Sequence, residues 1–270
     1  MHLRFYVQLI LLLIVINPFN QGLPQDKGFK WYPGEELVYK VKWAFINLGK
    51  LKLQLFENPS TENEAKFYCR LFVDSNPLLF FVNMHSMFET YVSEDFKPFL
   101  HQAYENIDDV NYFTQHYFNY ADSTIKLKMT SVKDTSKIIQ RIYPLVDKYY
   151  DAISLVYHTR AMVDHVESDT LKSFFGEEIG NVAINYHGAQ DEIFSDYEGQ
   201  YDKMYFVDGT FLMKGIAGLT GPYKGWFVGS ERRIPVKAEL KVFLGSVVVK
   251  LDSINNVVDM SYNEEKYKKE

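Results

Sequence analysis

Apolar and polar residues alternate in two separate parts of this chain, and both parts carry the same phrase. The first runs Leu37 to Phe45, then Leu48-Gly49, then Leu51 to Leu55; the second runs Val236 to Leu244, then Gly245, then Val247 to Leu251. On extended backbone, residues two apart share a face. Apolar side chains therefore gather on one side, while Lys40, Lys42, Lys50 and Lys52, or Lys237, Glu239 and Lys241, take the other. Both copies are predicted as pairs of half-buried antiparallel strands. Pro235 opens the second copy where a missing N–H is tolerated, and Gly245 permits a tight reversal, so the fold is expected to build around this pair.

Phe67 to Val73 is apolar in both phases, which requires a strand covered on two sides and places Cys69 in the core. Further strands are expected at Met84–Val92, Phe99–Tyr104, Tyr112–Phe118, Ile125–Thr130 and Ile138–Tyr143, separated by Asp, Asn, Ser and Pro clusters at the intervals of a meander. A helix is predicted over Asp147–Val163, with Tyr149, Ala152, Ile153, Val156 and Val163 on one side and Asp147 as its cap. One long helix after a series of strands reads as a plug on the concave face of a sheet. Asp164 to Gly180 is then an acidic loop with a short helical piece at Leu171–Phe175. Strands resume at Val182–Tyr186, Met204–Val207 and Phe211–Ile216, and Gly215 to Gly225 is a flexible rim loop. No stretch is long or polar enough to act as a linker, so residues 23–270 are expected to form one domain.

The N-terminus changes the picture of where this domain works. Phe5 to Ile16 is almost unbroken apolar sequence, preceded by Arg4 and followed by Pro18 and Asn20-Gln21-Gly22, the layout of a secretory signal over residues 1–22. The run is shorter than the roughly 20 apolar residues a membrane-spanning helix needs. No cysteine follows it to carry a lipid, so the mature chain is expected to be a soluble, exported, periplasmic protein with no stable membrane span. Its single cysteine cannot form an internal disulfide, so the core alone must hold the fold. Aromatic residues make up 16% of the chain, with 20 Tyr and 21 Phe, which favours sheet and leaves many phenol groups in need of a partner. The formal charge is -6, and loss of Arg4 with the signal makes it -7. An acidic chain without a basic run is a poor partner for nucleic acid or an anionic membrane surface.

Candidate chemistry is sparse. Asp151, Ser154 and His158 fall at i, i+3 and i+7 on one helical face, a possible nucleophile and base. That face points away from the Tyr149, Ile153 and Val156 stripe, however, and is expected to be the solvated side of the helix. No catalytic residue is assigned. His158 and His165 are separated along a helix by roughly 10 Å, too far for one ion, and the other histidines are scattered singly, so no metal and no cofactor is expected. Arg232 and Arg233, beside Glu231 and after Trp226-Phe227, form the one compact charged and aromatic group at the mouth of a predicted hairpin. Guanidinium forks suit carboxylate or phosphate head groups, which makes Trp226, Arg232 and Arg233 the candidate ligand-binding residues; the alternative is an Arg–Glu surface pair.

The stretch Gly34-Glu35-Glu36-Leu37-Val38-Tyr39, the Leu48-Gly49 junction, the helix Asp151-Ala152-Ile153-Ser154-Leu155-Val156-Tyr157, and Arg233-Ile234-Pro235-Val236 followed by Gly245-Ser246-Val247 together resemble the DUF3108 family of exported bacterial proteins. The resemblance is collinear over nearly the whole mature chain. It implies an all-β domain, mainly β with one central helix, in which a strongly curved antiparallel sheet forms a β-roll or incomplete barrel. It implies no activity. The expected function is a non-enzymatic envelope protein that binds a lipid-like or other amphipathic molecule in the curved sheet. The alternatives are a structural or assembly factor contacting another envelope protein and, third, a hydrolase using Ser154 and His158.

Overall fold

The computed structural model describes residues 28–60, 64–79, 83–107, 110–131, 134–190, 204–213, 220–243, 245–256 and 267. The signal segment expected over residues 1–22 lies outside them. The fold is mostly β: one antiparallel sheet of 14 strands and, among the described residues, one α-helix. The chain enters the sheet in its middle. Strands β1 (Glu36–Trp43), β2 (Ile46–Glu57), β3 (Phe67–Ser75), β4 (Met84–Val92), β5 (Pro98–Ile107), β6 (Val110–Asn119), β7 (Thr124–Ser131) and β8 (Asp134–Pro144) meander outward to one edge. Helix α1 (Ala152–Met162) then carries the chain to the other edge. Strands β9 (Val166–Phe175), β10 (Glu178–Gln190), β11 (Met204–Phe211), β12 (Gly221–Val228), β13 (Pro235–Lys241) and β14 (Ser246–Asn255) meander back, and β14 pairs with β1.

The two copies of the repeated phrase are thus neighbours, β2-β1-β14-β13, at the centre of the sheet. Pro235 opens β13, and Gly245, at φ +80°, provides the reversal into β14 as expected. The first copy turns elsewhere. Leu48-Gly49 lies inside β2 at a bulge against Val41/Lys42, and the reversal is Ala44-Phe45, where Ala44 adopts φ +51°. Gly49 is needed for a different reason: a Cβ there would stand 2.1 Å from the carbonyl oxygen of Asp74 on β3. Cys69 is fully buried, and Phe72, on the opposite face of β3, is buried beneath Tyr267, so this strand is covered on both sides.

The sheet curls without closing. Its edges, β8 and β9, are not joined by a ladder; contacts from β6 and β8 bridge them instead: Phe174 packs on His116 of β6 and edge-on to Tyr143 of β8, His116 Nε2 donates to the Gly176 carbonyl at 2.6 Å, and Arg141 of β8 pairs with Glu177 at 3.0 Å. The result is an incomplete barrel.

Several local expectations are corrected. The helix begins at Ala152 with Asp151 as its cap, because Tyr150 is held extended on the β9 edge: its N–H donates to Lys172 O at 2.9 Å and its carbonyl accepts from Phe174 N at 2.9 Å. Asp164 to Gly180 is largely sheet. β9 replaces the short helical piece; its Val166–Thr170 half is exposed and carries Glu167 and Asp169, charges that suit an unpaired edge, and its Leu171–Phe175 half packs inward. Gly221 and Gly225 lie in β12 and not in a loop, since Gly221 pairs with Phe211 of β11, and Gly225 with Val207 of β11 on one side and Ala238 of β13 on the other. Residues 214–219, which include part of that expected loop and of the Phe211–Ile216 strand, fall outside the described residues.

Candidate functional site

Helix α1 lies across one end of the barrel as a floor. Its N-terminus is fixed by a capping box: Asp151 accepts from Ile153 N at 2.8 Å and Ser154 N at 3.1 Å, while Ser154 Oγ accepts from Asp151 N at 3.0 Å. The buried Asp151 also receives the Thr90 hydroxyl from β4 at 3.0 Å. With that proton committed, Thr90 Oγ1 accepts at 2.9 Å from His101 Nδ1, which sets the histidine tautomer. Burial keeps His101 below its usual value and His116, stacked beside it, down at about 3, with the neighbouring His101 adding to the effect. Both rings are therefore neutral structural groups at pH 7.

The C-terminal end of α1 is tied to the opposite wall by charge. Arg160 forks onto Glu35, just before β1, and also donates to the carbonyl of Arg232 at 3.1 and 2.6 Å. Arg232 donates to Glu35 at 2.9 Å, and Arg233 grips Asp164 through two bonds of 2.6 Å. Arg160 and Glu35 have 1% exposed side chains, and so does Arg233. Below the helix, Trp31 stacks on Tyr157, Phe67 and Phe96 at centroid distances of 4.7, 4.2 and 5.3 Å, sealing this end.

Above the helix the barrel is hollow. A cavity of about 610 Å³ extends from Ala152, Ile153, Val156 and Thr159 on α1 to Leu48, Ser75, Phe211 and Leu240 at the far ends of the strands. Its walls include Val41, Leu51, Val73, Val247 and Val249, half-buried where a filled core would have buried them completely. The few hydroxyls facing it are already engaged. Tyr39 donates to Pro235 O at 3.0 Å, Thr159 to Leu155 O at 2.8 Å and Tyr223 to Ala183 O at 3.2 Å, while Ser75 accepts from Met84 N at 3.0 Å. Such a space is within the size range of small-molecule sites and recognises hydrocarbon by exclusion of water.

Of the candidate residues, Arg232 and Arg233 stand in the connection from β12 to β13, the hairpin mouth expected for them. Trp226, Arg232 and Arg233 do not line this cavity. Trp226 is nearly buried under Lys237, whose ammonium sits 4.8 Å from the ring centroid, and the two arginines belong to the ion-paired floor. The face of Asp151 and Ser154 is not solvated, because the trough of the sheet wraps α1 on nearly all sides; Val156, expected in the core, points into the hollow and is 38% exposed. Ser154 Oγ donates to Asp151, while His158 packs on Tyr150 at 4.7 Å and Phe96 at 5.6 Å, and burial followed by the Lys148 charge lowers it to about 4. Among the described residues no group of three or more His, Cys, Asp or Glu is arranged to hold a metal, and no helix is long and apolar enough to cross a membrane.

Among curated proteins none matches this chain. Among solved structures, it is similar to the crystal structure of a beta-barrel-like protein of domain of unknown function DUF1849 from Brucella abortus, with 8% identity and a TM-score of 0.54, covering 82% of this chain and 96% of that one. At that identity the likeness concerns the fold. A family described as protein of unknown function, DUF3108, matches residues 38–252, from β1 through β14. The chain belongs to the DUF3108 family.

Proposed function

We propose that this protein is a non-enzymatic carrier, exported to the periplasm, that holds the hydrocarbon part of an amphipathic molecule in the cavity above α1. The observation that carries this reading is the cavity itself: about 610 Å³, walled by valine, leucine and phenylalanine, with its hydroxyls engaged within the protein. Leaving so much apolar surface uncovered forgoes roughly 25 cal/mol for each Å² that a filled core would bury. A ligand returns that contribution. In this reading Arg232 and Arg233 act by holding the floor under the ligand, and Trp226 by supporting that wall.

Mass spectrometry of organic extracts from protein purified without detergent tests the proposal, together with titration of a fluorescent fatty acid. A co-purifying acyl-chain molecule and saturable displacement of the probe are expected. An empty extract combined with no saturable probe binding would overturn it.

A further inference from the structure

The two ends of the barrel differ in chemistry. At the floor end the connections between strands are polar: Asn58-Pro59-Ser60, Ser93-Glu94-Asp95, Asn119 to Ser123 and Gly229-Ser230-Glu231. At the opposite end the connections divide: β9 turns into β10 through Gly176-Glu177, whereas the connections that follow β1, β3, β11 and β13 are apolar. β1, β3, β11 and β13 all run toward that end, and their tips carry Phe45, Leu78, Leu212 and Phe243, exposed by 93, 86, 62 and 100%. Four large side chains on four separate hairpins, at the end the apolar cavity reaches, form one rim. Single exposed apolar residues are common on protein surfaces, but their gathering at one end is not.

The rim is also the basic end of this part of the sheet. Lys42, Lys50, Lys224 and Lys241 are exposed on β1, β2, β12 and β13 around it, although the chain as a whole carries -6. Of the carboxylates at this end, Asp74 is engaged with His85 and Tyr267, Glu239 with Lys237, and the exposed Glu177 of the β9–β10 turn with Arg141. None of these lysines forms a run in the sequence; the register of the sheet assembles them.

We infer that this rim docks the protein on an anionic lipid bilayer, Phe45, Leu78, Leu212 and Phe243 entering the interface while the lysines meet phosphate head groups. Apolar tips ringed by ammonium groups match the layered chemistry of a membrane surface, hydrocarbon below and phosphate above. Docking in this orientation sets the cavity against the lipid, yet it does not depend on the cavity being loaded.

Flotation with vesicles tests it, using wild type and variants that share one N-terminus. Wild type is expected to float with phosphatidylethanolamine vesicles containing a quarter phosphatidylglycerol, to float less at high salt, and to bind pure phosphatidylcholine weakly. F45S/L78S/F243S should lose roughly tenfold in partitioning for each side chain removed, and K42E/K241E should lose the preference for anionic vesicles. Both must retain the wild-type circular dichroism and melting temperature, and both should still bind the fluorescent fatty acid in vesicle-free solution. A wild type that stays with the soluble fraction, or a rim variant that floats like wild type, would overturn the inference. So would a dimer seen by light scattering that the rim variant dissolves, since the occupant of the rim is then a second copy.

Discussion

Arg160 on α1 and Glu35 ahead of β1, 125 residues apart, form a two-pronged ion pair at 2.8 and 3.1 Å with both side chains 1% exposed. This contact joins the only described helix to the centre of the sheet. Replacing Glu35 with Gln leaves a buried guanidinium without its counter-charge, and the expected loss is about 3–5 kcal/mol of unfolding free energy. Urea denaturation followed by tryptophan fluorescence measures it. The double variant Glu35→Met/Arg160→Met should lose less than the sum of the single changes, because neither charge is then stranded.

The buried histidines make stability fall with acid. A folded-state value of about 3 for His116, against about 6.5 in the unfolded chain, means that the unfolded state binds the extra proton across that window. His116 therefore contributes stability that is present above about pH 6.5 and is lost toward pH 3, at about 1.4 kcal/mol per pH unit. His116→Gln can still donate an amide N–H to Gly176 and does not titrate. Urea midpoints measured from pH 7 to pH 5 should show a shallower decline in this variant, and an unchanged slope would contradict the assignment.

Ser154 offers a separate check on the helix start. Its Oγ accepts the buried Asp151 N–H, and removing it strands that donor. Ser154→Ala is expected to cost about 1–3 kcal/mol. The same variant should bind the fluorescent fatty acid as wild type does, since Ser154 faces the cap and does not line the cavity.

Val156 lies on the cavity side of α1, so a larger side chain there has space to enter. Val156→Trp should weaken fatty-acid binding by roughly tenfold or more while changing stability by no more than about 1 kcal/mol, less than the usual penalty of overpacking a filled core. Unchanged affinity would place the ligand elsewhere. Vesicle flotation of this variant should match wild type, which separates cavity occupancy from rim docking.

Much of the architecture was legible from local pattern. Period-two alternation located β1, β13 and β14, the apolar two-phase run located the doubly covered β3 with Cys69 inside it, and Pro235 and Gly245 marked a strand start and a turn. These are properties of neighbouring residues on one strand, so a sequence determines them directly. The site was hardly legible. Asp151 caps the helix in place of Asp147 because β9 holds Tyr150 extended; Arg232 and Arg233 are consumed by Glu35 and Asp164 from distant elements. The hollow above Val156 and the rim of Phe45, Leu78, Leu212 and Phe243 exist only once fourteen strands are set in register and curled. A side chain's chemistry is written in the chain, but whether it meets a partner, a cavity or water depends on what long-range pairing brings opposite it.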